Sequence, residues 1–179
     1  MRASIAGFLL LGSLTAAVPA NAKALTTAGT GIAIALPLIA GGISLYKDDW
    51  SGIGQLGLDT VATVGTVYAL KNIVRERRPD GSDWQSFPSD TTALAASGSS
   101  YLWARYGWQY GLPAFAATQF VSFTRVDAKK HHWYDTLAAS AIGIGYAQIF
   151  TTRFRKRYNV YTDLEASPDG AMLKVAYDF

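Results

Sequence analysis

Apolar stretches and short polar loops alternate along most of the chain, and the stretches are too long for strands. Residues 29–46 read GTGIAIALPLIAGGISLY and stop at the polar KDDWSG. Residues 54–74 read GQLGLDTVATVGTVYALKNIV and stop at a burst of arginines. Both predict helices long enough to be buried. A third helix over 91–107 follows Pro88, Ser89 and Asp90, a fourth over 111–123 follows a short aromatic loop, and a fifth over 133–154 runs to a basic cluster at 153–157. Gly, Ala and Ser dominate these faces, which permits close approach of helices in lipid or in a tight soluble bundle. Several apolar runs fall short of the roughly 20 residues that span a bilayer. The pattern predicts an all-α bundle of about five core helices and favours a membrane location.

The two ends of the chain differ from this core. Arg2, the apolar run 5–18 and the small residues Ala20-Asn21-Ala22 match a secretory signal peptide over 1–22, with the mature chain starting at Lys23. An uncleaved first transmembrane helix is the alternative. At the other end, 158–179 holds two β-forming stretches separated by Ser167-Pro168-Asp169-Gly170, a turn signal that predicts a short β-hairpin. The expected organisation is therefore a signal peptide over 1–22, a helical domain over 23–157 and a hairpin tail over 158–179.

Composition narrows the chemistry. With 179 residues, one domain is the default, and half of them are hydrophobic while 16% are charged, apolar for a soluble protein without demanding a polytopic membrane protein. The absence of cysteine excludes thiolate metal sites and thiol catalysis. The net charge of +3 is modest, but basic residues cluster at 71–78, 125–130 and 153–157. The last cluster reads as a cytoplasmic or lipid-headgroup anchor and not as a nucleic-acid patch.

The candidate chemistry lies at the helix ends. Lys71 and Arg78 are seven residues apart, about two helical turns, so both can project from the end of the second helix. Pro79 pushes Arg78 toward an extended conformation, freeing its guanidinium. Pro88 and Ser89 put a hydroxyl and free N–H groups at the start of the third helix, an anion site. Arg125 closes the fourth, and His131 and Asp135 open the fifth. In an up-and-down bundle these ends share one face. Cations and N–H dipoles converging on a point suit a phosphoryl group, whose transition state spreads negative charge over several oxygens. His131 would attack phosphorus as neutral imidazole, and Asp135 could accept a hydrogen bond from its other ring nitrogen.

Lys71, six residues, then Arg78-Pro79; Pro88-Ser89 after an aromatic; Arg125, five residues, His131, three residues, Asp135: these resemble the three signature motifs of the type 2 phosphatidic acid phosphatase and vanadium haloperoxidase superfamily. The resemblance implies a helical bundle in which Lys71, Arg78, Ser89 and Arg125 hold phosphate, His131 forms a phosphohistidine and Asp135 orients it, with no cofactor or metal. It further implies a lipid phosphate or lipid pyrophosphate substrate and a membrane partner. One departure stands out. The family's middle motif reads Pro-Ser-Gly-His, whereas this chain has Pro88-Ser89-Asp90-Thr91, so Thr91 replaces the histidine that would protonate the leaving group. A threonine hydroxyl is a poor acid near neutral pH. Asp90 would either repel the phosphate or turn away as a helix N-cap, the favoured expectation.

The resulting expectation is a phosphatase acting through phosphohistidine in the bacterial envelope, at the inner membrane with the site facing the periplasm, or else soluble in the periplasm. Loss of the acid predicts a preference for pyrophosphates, whose leaving group needs a proton less. A lipid-phosphate binding protein that has lost catalysis is the opposing expectation. A vanadate-dependent haloperoxidase is disfavoured by the missing acid–base residue.

Overall fold

The structure is a computed structural model that describes residues 18–155, 160–167 and 170–177. Five helices make the body: α1 (Val18–Tyr46), α2 (Trp50–Ile73), α3 (Asp90–Tyr106), α4 (Trp108–Asp127) and α5 (Trp133–Phe150). The expected targeting segment lies mostly outside the described residues; α1 runs unbroken from Val18 past Ala22. Two strands, β1 (Val160–Ser167) and β2 (Gly170–Tyr177), pair antiparallel with Val160 opposite Tyr177 and Ser167 opposite Gly170. The two turn residues between them lie outside the described set.

Helix α3 is the axle. Its run Thr92, Ala93, Ala95, Ala96, Ser97, Gly98, Ser99 and Ser100 is buried, and it packs against α1, α2, α4 and α5. Small side chains allow that many neighbours. A Cβ on Gly98 would stand 2.6 Å from the backbone nitrogen of Pro37, so α1 touches α3 backbone to backbone, and one on Gly143 of α5 would stand 2.9 Å from Ala96 Cβ. Larger residues, Leu36, Leu56, Tyr101, Leu102 and Val121, form the main apolar cluster.

Two helix boundaries differ from the sequence expectation for a local reason. Gly107 adopts φ 97, so the chain reverses within one residue and α4 opens at Trp108, absorbing the aromatic loop. Helix α5 stops at Phe150 because the next residues are recruited elsewhere: Arg105 Nη1 donates to Thr152 O at 2.6 Å and Phe154 N to Arg105 O at 2.8 Å. The same guanidinium makes a buried ion pair with Asp49 at 2.5 Å, to which Tyr106 also donates at 2.8 Å. One arginine thereby ties together the α1–α2 turn, the end of α3 and the segment after α5.

The up-and-down course puts the start of α1, the end of α2, the start of α3, the end of α4 and the start of α5 at the opposite end from this network. The flanks of the bundle are apolar, with Ile34, Leu38, Leu58, Val61, Phe120, Leu137 and Ile149 all exposed. Among the described residues one helical stretch, Lys23–Tyr46, is long and apolar enough to cross a membrane.

Candidate active site

Helix α2 ends at Ile73, so Lys71 lies in its last turn while Arg78 sits beyond it on an extended loop. The two therefore reach the same place from different elements, not along two turns of one helix. The loop is held by its own backbone: Ser86 N donates to Glu76 O at 3.0 Å and Arg78 N to Asp83 O at 3.0 Å. A second set of bonds fastens it to the α4–α5 connection, where Asp80 N donates to Lys129 O at 3.0 Å and Lys130 Nζ pairs with Asp80 at 2.5 Å. Lys129 has φ 54, which turns the chain sharply after α4 and brings His131 back over the bundle. The His131 amide donates to Arg125 O at 3.3 Å.

His131 is 2% exposed, and its Nδ1 lies 2.7 Å from Ser86 O. A carbonyl only accepts, so Nδ1 carries the hydrogen and the neutral ring leaves its lone pair on Nε2. Burial pushes the imidazole down to about 4, helped by the charges of Lys71 and Arg78, with the Ser86 bond and Asp90 pulling the other way. The ring is thus neutral around pH 7, as a nucleophile must be.

The hydrogen bond expected from Asp135 to His131 is made by Ser86 O instead; the Asp135 carboxylate is 3.6 Å from Nδ1. Fully buried, Asp135 holds the loop's geometry: Ser86 Oγ donates to it at 2.5 Å and His132 N at 2.7 Å. Its Oδ1 is buried without a hydrogen-bond partner. Asp135 is therefore linked to His131 through Ser86.

Around the imidazole stand the expected cations. Lys71 is buried, donates to Gln85 O at 2.8 Å and lies 4.0 Å from Asp90 Oδ1. Arg78 donates through Nε to Asp83 at 2.7 Å, a contact that holds the Asp83 carboxyl below its usual range. Arg125 is buried but turned toward α1: its Nη2 bonds Thr26 O and its Nε donates to Thr124 Oγ1 at 3.2 Å. In this arrangement its fork makes no hydrogen bond to the other site residues. Ser89 is the N-cap of α3, its Oγ accepting from Thr92 N at 3.3 Å, and its amide donates to Asp135 O at 3.2 Å. The oxygen thereby accepts from the helix, and the hydroxyl's own hydrogen is left to donate.

Asp90 overturns the expectation that it turns away as a cap. Ser89 takes that role, and Asp90, first residue of α3, points to the site with Oδ1 3.8 Å from His131 Nε2. Thr91 lies beside it on the wall of a cavity of about 270 Å³ formed with Thr30, Ala33, Ile34, Val64 and Leu94. The sequence reading missed Ser86, Gln85 and Thr26. All three act through backbone carbonyls, which carry no side-chain signature: Ser86 toward His131, Gln85 toward Lys71 and Thr26 toward Arg125. A separate group, Glu76, His132 and Asp135, could each offer one atom to a metal ion. His132 stacks on Tyr134 with ring centroids 4.9 Å apart, consistent with packing.

The PAP2 superfamily profile matches residues 53–159. The lipid A 4'-phosphatase of Helicobacter pylori is 30% identical over 148 residues, covering 76% of this chain and 75% of that protein. Among solved structures, Aquifex aeolicus LpxE shares the fold, with a TM-score of 0.53 at 20% identity over 67% of this chain and 83% of that one. The chain belongs to the PAP2 superfamily.

Proposed function

We propose that this chain removes phosphate from a lipid phosphate by way of a phosphohistidine on His131, in the bacterial envelope. It is a phosphoric ester hydrolase by its family and its relatives. A relative that acts on lipid A supports a lipid-borne phosphate, as does the cavity whose apolar walls begin beside Asp90 and Thr91. The single observation that carries the mechanism is His131 itself: a buried imidazole, neutral, fixed in one tautomer by Ser86 O, with its free nitrogen beside Lys71 and Asp90.

In this reading Nε2 attacks phosphorus while Lys71 and Arg78 neutralise the charge growing on the phosphoryl oxygens. Arg125 joins them if substrate draws its fork from Thr26 O, and the positive end of the α3 dipole favours the same anion. Asp135 and Ser86 hold the ring and stabilise the imidazolium phosphate that forms. The protein is read as membrane-embedded, with its exposed apolar flanks in hydrocarbon and the site outside the cytoplasm.

The test is phosphate release from a lipid phosphomonoester and a lipid pyrophosphate in mixed micelles. We expect turnover by the native chain and a loss of roughly 10³-fold or more in His131→Ala, since removing a nucleophile deletes the covalent route. Rapid quench in alkaline detergent during turnover should recover phosphate on His131. Near-native turnover in His131→Ala sinks the mechanism, and saturable binding without turnover by the native chain favours the binding-protein reading.

A further inference from the structure

Thr91 stands where the family has a histidine, yet the leaving oxygen of an alcohol needs a proton and the water that hydrolyses a phosphohistidine must lose one. The site contains one group that faces the nucleophile and is open to solvent. Asp90 is 60% exposed, while His131, Lys71 and Arg125 around it are all buried. Its Oδ1 lies 3.8 Å from His131 Nε2 and 4.0 Å from Lys71 Nζ, and it accepts from Thr91 N at 2.9 Å. Oxygens on a phosphorus bonded to Nε2 fall within hydrogen-bonding reach of a carboxyl so placed. Being exposed, the side chain is free to follow the oxygen in line with the attack.

We propose that Asp90 is the acid and base of the reaction, doing from the first position of α3 what the absent histidine would do from the second. The inference rests on the hydrolase reading above. In the first half-reaction the Nε2 lone pair forms the N–P bond, the P–O bond to the alcohol breaks with its electron pair on oxygen, and that oxygen takes the Asp90 proton. In the second, water attacks phosphorus and gives a proton to the Asp90 carboxylate. The N–P bond breaks with its pair returning to Nε2, and inorganic phosphate leaves. Both the carboxyl and the imidazole end as they began. Simple phosphomonoesters thereby remain substrates, and the expected pyrophosphate preference loses its basis.

The experiment compares the native chain with Asp90→Asn and Asp90→Glu on two phosphomonoesters. One is a lipid with an alcohol leaving group; the other is p-nitrophenyl phosphate, whose phenolate leaves without a proton. Asp90→Asn should lose roughly 10²-fold or more on the lipid, the size typical of a missing proton-transfer group. On p-nitrophenyl phosphate it should release one equivalent of nitrophenolate in a burst and then stall with phosphate on His131, which also shows that the variant is folded. Asp90→Glu should recover a large part of both activities. Thr91→His in the native chain should change turnover by less than about twofold, because the acid is already present.

Asp90→Asn turning over both substrates at the native rate, or a gain of about tenfold from Thr91→His, would overturn the inference. So would a loss on both substrates without a burst in a variant whose unfolding transition is native-like. An inactive native chain, or one indifferent to His131→Ala, overturns instead the reading on which this inference rests.

Discussion

At the scale of the residue, the site depends on one imidazole being kept neutral by what surrounds it. His131 binds its proton only near pH 4 in the fold, against 6.5 for a free side chain. Between those values the unfolded chain binds more protons than the folded one, so this group makes stability fall as pH drops through that window and is silent above it. The shift corresponds to an effect on the order of 3 kcal/mol. The chain has two histidines, so ring-nitrogen NMR on labelled protein can resolve His131 directly. We expect a neutral ring, protonated at Nδ1, with no titration between pH 7.5 and 5.5. A hydrogen on Nε2 would remove the nucleophile from the proposed mechanism, and a transition near 6.5 would mean that burial does not keep the ring neutral.

At the scale of the element, close approach is what lets five helices share one axle, and it is brittle where backbone meets backbone. Gly98→Ala would set its Cβ 2.6 Å from Pro37 N and 2.7 Å from Leu36 C, atoms that move only if α1 moves. We expect a loss of about 1–3 kcal/mol in denaturant unfolding. Gly31→Ala meets nothing within 4 Å and should be neutral or stabilising by about 0.5–1 kcal/mol, the helical advantage of alanine over glycine. Equal behaviour of the two would mean that α1 does not rest on α3 as described. The sequence already hinted at this packing, since the buried segment Ala95-Ala96-Ser97-Gly98-Ser99-Ser100 has no other use for so many small residues. It could not say that α1 is the helix that comes closest. In the same way Lys71, Arg78, His131 and Asp135 were legible from their spacing, whereas the partner of His131 was not, because Ser86 supplies a carbonyl. Asp90 misled for a related reason: either Ser89 or Asp90 can cap a helix, and only the fold decides which one does.

At the scale of the whole molecule, the two ends of the bundle are chemically distinct and the flank between them is apolar. One end holds the proposed phosphate site with Trp84 and Trp133 exposed near it; the other holds the Arg105–Asp49 tie with Trp50 and Trp108 exposed. Helices of 18 to 24 residues, such as α5 and α2, extend about 27–36 Å, comparable to a hydrocarbon core of roughly 30 Å. Exposed tryptophans at both ends fit two membrane–water interfaces. Charge does not support the proposed orientation, because among the described residues Lys23, Lys71, Arg75, Arg77, Arg78, Arg125, Lys129 and Lys130 at the site end outnumber Lys47, Arg105, Arg153 and Arg155 at the other. The proposed orientation rests on counting crossings from an exported N-terminus, and the lack of cysteine makes it directly measurable. Ser82 lies exposed on the site loop and Ser51 exposed in the first turn of α2, at the far end. With single Ser82→Cys and Ser51→Cys variants, a membrane-impermeant maleimide should label Ser82→Cys in intact cells and Ser51→Cys only after lysis. The reverse pattern would place the phosphate site in the cytoplasm. Labelling of both in intact cells, with release of the chain by alkaline wash, would show that the apolar flank is not embedded and that the substrate's lipid must come to the protein.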